Sequence, residues 1–426
     1  MDVKIKRGDI IDGSEVFVPS SKSHSIRAVF IAGLAKGRSY IENLLLSDDV
    51  MSAIDTMRKF GAIIDINNDC VIIDGVGGKV VAPNEVIDVG NSGTTLRFAM
   101  LVAASANGTT TLTGDSQIQK RPIGELARLI KALGGSIEFL KNEDFAPVRV
   151  TGKIYGGVSL LDAFSSQYLS SALITCPLLS KDTNINLVRL NERPYVDMTL
   201  WWLDKQNIKY INNLPDRITI FGGQSFSEFS DKISGDYSSA TFFIVLAAIS
   251  GRRIVLKNLK LDDKQGDKKV LSVIESFGAH VIWQDDAVIV CGKKLVGRVV
   301  DMNDIPDALP AMAVLGCFAS GETRLINVLQ ARYKETDRIH VMCEELSKVG
   351  ANIQELQDGL IIKKSDMHGG EVSGHKDHRV VMALAILGAC VKESVILKDA
   401  ESVNITFPGF FEVLQQMGAK VFLGNT

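Results

Sequence analysis

A helix that ends at a glycine-type cap and runs into a short strand recurs about every 70 residues along this chain, six times in all. The caps are Gly61, Gly134, Asn207, Gly278, Gly350 and Gly418. Each is a residue type that tolerates the left-handed backbone that stops a helix. In the second copy Pro122 sits at a first helical turn, Ile123, Leu126, Ile130 and Leu133 make an apolar stripe, and Gly134 closes the helix. In the fifth, Ile339, Met342, Leu346 and Val349 repeat the stripe ahead of Gly350.

After each cap, alternation predicts a hairpin: GAIIDINNDCVIID, GSIEFLKNEDFAPVRV, NIKYINNLPDRITIF, GAHVIWQDDAVIV and GANIQELQDGLIIKK. The sixth copy, GAKVFLGNT, has room for one strand only. Val3 to Lys6 alternates in the same way without a nearby partner, so it is expected to return and complete the sixth unit. That closure predicts a contiguous domain of three units, residues 21–234, and a discontinuous one, residues 1–20 with 235–426, joined by two crossings. A chain of 426 residues is also too long for one core, and its 46% hydrophobic and 23% charged residues suit folded domains.

Each unit has a second helix that follows a polar turn: SSKSHS, GNSGTT, FSSQ, GDYSS, NDIPDA and HKDHR. Ser, Asn, Asp and Thr are ordinary capping residues, so one such turn means little. The cations are more informative. Lys22, Arg27, Arg97, Lys376 and Arg379 lie at or just after these helix starts, and Arg121 stands ahead of the companion helix of the second unit. A helix start already carries partial positive charge, so cations there are the wrong sign for helix stability and make sense if anions are held among them.

Other readings are weaker. A net charge of -3 gives no basic field for nucleic acid. The opening MDVKIKRGDIIDGSE lacks the apolar core of a signal peptide and no apolar run is long enough to span a bilayer, so the expected location is the cytoplasm. The six cysteines show no paired spacing and are expected to be buried reduced thiols. His375 and His378 flank Asp377 like a metal pair but have no evident third ligand, so no metal is expected. DGVGGK at Asp74 lacks the spacing of a phosphate loop and reads as a turn at a hairpin end.

Ten ordered segments, SKSHSIR, GNSGTTLR, RPIG, SSQ, RPY, GDYSSA, IPDA, KETDR, DHR and TFPGFF, resemble the successive motifs of the EPSP synthase family of enolpyruvyl transferases, over nearly the whole chain. The resemblance implies an α/β (α+β) fold of two similar domains, each with three βαβαββ units in an inverse α/β-barrel-like arrangement, and an active site in the cleft between them. It also implies transfer of the enolpyruvyl group of phosphoenolpyruvate to the 5-hydroxyl of shikimate 3-phosphate by a monomer, with no metal or organic cofactor.

Both substrates carry a phosphate and a carboxylate, for which forked guanidinium groups and helix amino ends are suited. By resemblance, Lys22, Gly93, Arg121, Gln167, Arg338 and Arg379 would hold phosphoenolpyruvate. Lys22, Ser23, Arg27, Ser165, Ser166, Gln167, Tyr195, Asp307 and Lys334 would hold shikimate 3-phosphate, with Arg97 and Thr94 supporting the glycine turn. Addition and elimination need a base for the hydroxyl and an acid for the methylene carbon. Lys22, Asp307 and Glu335 are the candidates, Glu335 with Lys22 being the expected source of the carbon-bound proton.

Two residues depart from the pattern. Glu192 stands where the family commonly has serine, and Ile405 where many members have lysine. The rival readings are a catalytically weakened relative and another enolpyruvyl transferase acting on a related anionic alcohol. The sister enzyme for a UDP-linked amino sugar carries a reactive loop cysteine, and none occurs here between Cys70 and Cys176.

Overall fold

The computed structural model describes residues 1–67 and 70–424. They form two compact units, residues 21–233 and residues 1–20 with 234–426.

Within each unit are three four-stranded sheets. In residues 21–233 the sheets contain the hairpins Ile63–Ile66 with Cys70–Asp74, Ser136–Phe139 with Val148–Thr151, and Tyr210–Asn213 with Arg217–Ile220, all antiparallel. Residues 68–69, between the strands of the first hairpin in sequence, lie outside the described residues. The second strand of each hairpin also pairs antiparallel with the strand before the outer helix, and that strand runs parallel to the edge strand of its sheet. The other unit repeats the scheme with the hairpins His280–Gln284 with Ala287–Cys291 and Asn352–Leu356 with Gly359–Lys363.

The third sheet of that unit is closed by Val3–Lys6, which lies between Val395–Lys398 and Lys420–Leu423 and pairs antiparallel with both. Val3 and Ile5 are fully buried. The amino-terminal strand therefore completes the sixth unit, as its alternation predicts. All six expected caps have left-handed backbone, from φ 55° at Asn207 to 109° at Gly278.

The two helices of each unit have different jobs. The inner ones, such as Lys22–Leu34, Gly93–Ser105 and Ser166–Thr175, are apolar almost all round and buried over nearly their whole length. The outer ones bury one stripe. Asp48–Lys59 buries Val50, Ala53, Ile54 and Met57, with acidic residues in its first turn and basic ones in its last, the order the helix dipole favours.

Two expectations need correction. Pro122 lies two residues ahead of the helix Gly124–Ala132, whose cap is Ile123, so the proline rigidifies the approach rather than the first turn. Only Cys176 and Cys317 are buried; Cys70, Cys291, Cys343 and Cys390 are partly exposed, because strand and outer-helix positions also face outward and Cys390 stands at the end of its inner helix. Each stretch next to a crossing supplies an edge strand to its own unit. Ser14–Phe17 pairs parallel with Ile254–Lys257, and Ser230–Lys232 with Arg38–Glu42.

Candidate active site

The polar turns put a cap at the start of five of the six inner helices. Ser21, Ser92, Ser165, Asp236 and Asp377 each accept a backbone N–H from the first turn. The NDIPDA turn differs, entering its helix through a short 3-10 turn at Pro306–Ala308 that carries Asp307.

In residues 21–233 the amino ends of the inner helices are tied together by buried guanidinium groups. Arg27 donates from Nε to Thr199 Oγ1 at 2.8 Å, from Nη1 to the Ser23 carbonyl at 2.9 Å, and from Nη2 to the Tyr195 carbonyl at 3.0 Å and Ser170 Oγ at 3.4 Å. Four of its donors are thus committed to the protein, and burial lowers its pKa to about 10. Arg97 donates to Gln167 Oε1 at 2.5 Å, and the Gln167 amide donates to Thr94 Oγ1 at 3.1 Å. Arg121 reaches Asn91 Oδ1 at 2.9 Å. A Cβ on Gly93 would lie 2.8 Å from Arg121 Nη1 and 2.9 Å from Arg97 Nη1. Glycine here keeps a backbone surface open between two cations.

Lys22 stands at the first position of its helix, half-buried, with Nζ 3.0 Å from Asp49 Oδ2. Ser165 caps its helix, and Ser166 donates from both its backbone N–H and its hydroxyl to Glu192. Ser23 and Tyr195 enter this network through the main chain: the Ser23 and Tyr195 carbonyls accept from Arg27.

The other unit builds its cluster on Arg338, which is buried and donates from Nε and Nη2 to Asp377 at 2.8 and 3.2 Å. Its Nη1 donates to Asp307 at 2.8 Å and its Nη2 also to Glu335 at 2.6 Å. Arg379 Nη2 lies 3.2 Å from the other Asp307 oxygen and Lys334 Nζ 3.8 Å from Asp307. Asp377 meanwhile caps its helix, accepting from the Arg379 and Val380 N–H groups. Burial alone would raise the Asp307 carboxyl, but Arg379, Lys334 and Arg338 outweigh it and hold the group well below the usual carboxylate range. It is ionised at neutral pH.

The sequence carries no signal for two groups here. Glu345, fully buried on the helix Arg338–Lys348, accepts from His375 at 2.6 Å and from the Ser373 N–H at 3.0 Å, bracing the turn ahead of Arg379. Glu344, Glu345 and His375 gather three ligand-type atoms, yet Lys348 Nζ already lies 2.9 and 2.7 Å from the two carboxylates. His375 is part of this brace, and His378 is buried at the start of its helix. The second such group is Asp267, buried in a 3-10 turn with the Ser238 hydroxyl donating to it.

Burial, then the charge of Asp307, pushes the Asp267 carboxyl up to about 6 against the pull of Arg379. Its folded pKa lies above the unfolded value, so folding takes up a proton and stability falls as pH rises from about 4 through about 6. Asp267→Asn is therefore expected to be more stable than the parent at pH 8 by up to about 3 kcal/mol, a gain that disappears near pH 4. Urea unfolding at both values checks this; equal stabilities at pH 8 would show that the charge costs nothing.

Residues 8–414 match the family model for EPSP synthase (3-phosphoshikimate 1-carboxyvinyltransferase). The chain is 50% identical over 423 residues to a 3-phosphoshikimate 1-carboxyvinyltransferase of Ruminiclostridium cellulolyticum, covering 99% of this chain and 100% of that protein. It is 52% identical over 406 residues to one of Acetivibrio thermocellus, covering 95% and 96%. A solved structure of EPSP synthase from Acinetobacter baumannii superposes with a TM-score of 0.83 at 25% identity, covering 99% of this chain and 100% of that one.

Proposed function

The chain belongs to the EPSP synthase family, and we propose that its two buried clusters of cations serve that family's reaction. The enzyme transfers the enolpyruvyl group of phosphoenolpyruvate to the 5-hydroxyl of shikimate 3-phosphate and releases phosphate. The observation that carries the assignment of the site is the set of buried guanidinium groups in or just ahead of the first turns of inner and outer helices: Arg27, Arg97 and Arg121 in one unit, Arg338 and Arg379 in the other.

Phosphoenolpyruvate is assigned to Lys22, the Gly93 backbone, Arg121, Gln167, Arg338 and Arg379. The open backbone at Gly93 and the flanking Arg121 offer N–H donors to a carboxylate or phosphate. Shikimate 3-phosphate is assigned to Lys22, Ser23, Arg27, Ser165, Ser166, Gln167, Tyr195, Asp307 and Lys334. Asp307, ionised and facing three cations, accepts a hydrogen bond from a substrate hydroxyl and orients it. Glu335 shuttles the proton to the methylene carbon and back during elimination, and Lys22 neutralises the anions. On this reading the protein works in the cytoplasm as a monomer on small molecules, without nucleic acid or membrane.

Phosphate release from purified protein tests the reading. Release is expected only when phosphoenolpyruvate and shikimate 3-phosphate are supplied together, and to persist in a chelator. Activity that survives replacement of shikimate 3-phosphate by a UDP-amino sugar would sink it, as would release from phosphoenolpyruvate alone.

A further inference from the structure

Glu192 is a buried carboxylate that no step of the proposed reaction uses. Its backbone is left-handed, φ 54°, at the cap position of the helix Arg193–Lys205, yet its side chain does not cap that helix. Asn191 on the preceding turn is held by the Ala163 and Phe164 carbonyls, at 3.1 and 3.2 Å. The Glu192 carboxylate turns instead to the neighbouring inner helix, where Oε2 accepts the Ser166 N–H at 3.2 Å and the Ser166 hydroxyl at 2.8 Å.

This places a fixed negative charge at the amino end of Ser166–Thr175, the position where a helix attracts an anion most strongly. The hydrogen of the Ser166 hydroxyl is committed to the carboxylate, so toward a ligand the hydroxyl presents lone pairs. It is thereby arranged to accept from an alcohol. It is poorly arranged to donate to a phosphate, and the charge behind it repels one.

We propose that Glu192 is a specificity-determining residue, an internal anion that sets Ser166 as an acceptor and weakens the hold of this helix end on the phosphate of the alcohol substrate. The inference rests on the assignment of Ser165, Ser166 and Gln167 to shikimate 3-phosphate. It makes affinity for that substrate a quantity limited from within, by one buried side chain.

Glu192→Gln keeps the size of the side chain and an oxygen for Ser166 while removing the charge; Glu192→Ser removes both charge and bulk. In both, the Michaelis constant for shikimate 3-phosphate is expected to fall at least fivefold at fixed ionic strength, with that for phosphoenolpyruvate within twofold of the parent. Inorganic phosphate, measured by calorimetry as a competing ligand, should tighten in parallel. A purely structural role for Glu192 would raise both Michaelis constants and lower the melting temperature. Unchanged or weaker shikimate 3-phosphate affinity in a folded Glu192→Gln protein overturns the proposal. If the parent itself neither binds shikimate 3-phosphate nor releases phosphate, the functional assignment has failed, and that outcome is separate from the behaviour of the variants.

Discussion

Arg338→Met is expected to lower the stability of the protein by about 3 to 5 kcal/mol and to abolish phosphate release. The side chain is 1% exposed and joins Asp307, Glu335 and Asp377, none of which has enough water around it to replace a lost cation. Methionine fills the space but leaves three carboxylates facing one another. Arg338→Lys keeps the charge without the planar fork, and cannot serve three acceptors in three directions at once. It is expected to recover less than half of the loss. Denaturant unfolding of the three proteins measures this. A deficit under 1 kcal/mol for the methionine variant would mean that the carboxylates find other partners, with Arg379 and Lys334 the nearest candidates at Asp307.

Turnover in Glu335→Gln should drop by ~10²-fold or more, with both Michaelis constants changed little, because the amide keeps the shape and removes the titrating group. The fold should survive this change. The amide oxygen can still accept from Arg338 Nη2, now 2.6 Å from the carboxylate, and Glu335 lies outside the helix that begins at Arg338. Steady-state kinetics beside a melting curve separates the two effects. Near-parent turnover would take Glu335 out of proton transfer and leave it as a partner of Arg338 alone.

Much of the architecture was legible because its signals are local. A cap, a stripe and a hairpin are each short, contiguous stretches of sequence, and Gly61, Gly134 or Gly350 announce themselves by residue type. The return of Val3–Lys6 could be inferred because an alternating strand without a partner must find one. The edge strands next to the crossings had no such signal. Ser230–Lys232 has three residues, with no strong alternation, and pairs with a strand nearly two hundred positions earlier.

The candidate site divides in the same way. Lys22, Arg97 and Arg379 drew notice because cations at helix starts oppose the dipole. Asp267 and Glu345 did not, since an acidic residue near a helix looks like ordinary surface until its burial is known. Arg27 and Arg338 were read as ligands. The structure shows how much of each guanidinium is already spent on the protein, which composition could not disclose.

The placement of Val3–Lys6 inside a sheet whose other strands begin at residue 370 also governs the order in which the chain can become a protein. The first twenty residues leave the ribosome long before their partners exist. The unit of residues 21–233 has all its strands once residue 232 is made, whereas the other must keep Val3–Lys6 unpaired until Val395–Lys398 emerges, and its sheet incomplete until Lys420–Leu423 follows. The Gly424 N–H donates to the Asp2 carbonyl at 2.9 Å, so the segments around these two residues meet in the finished fold. Joining them by a short linker and opening the chain between Ile233 and Ser234 would make each unit one uninterrupted stretch, which could then be synthesised and folded in sequence.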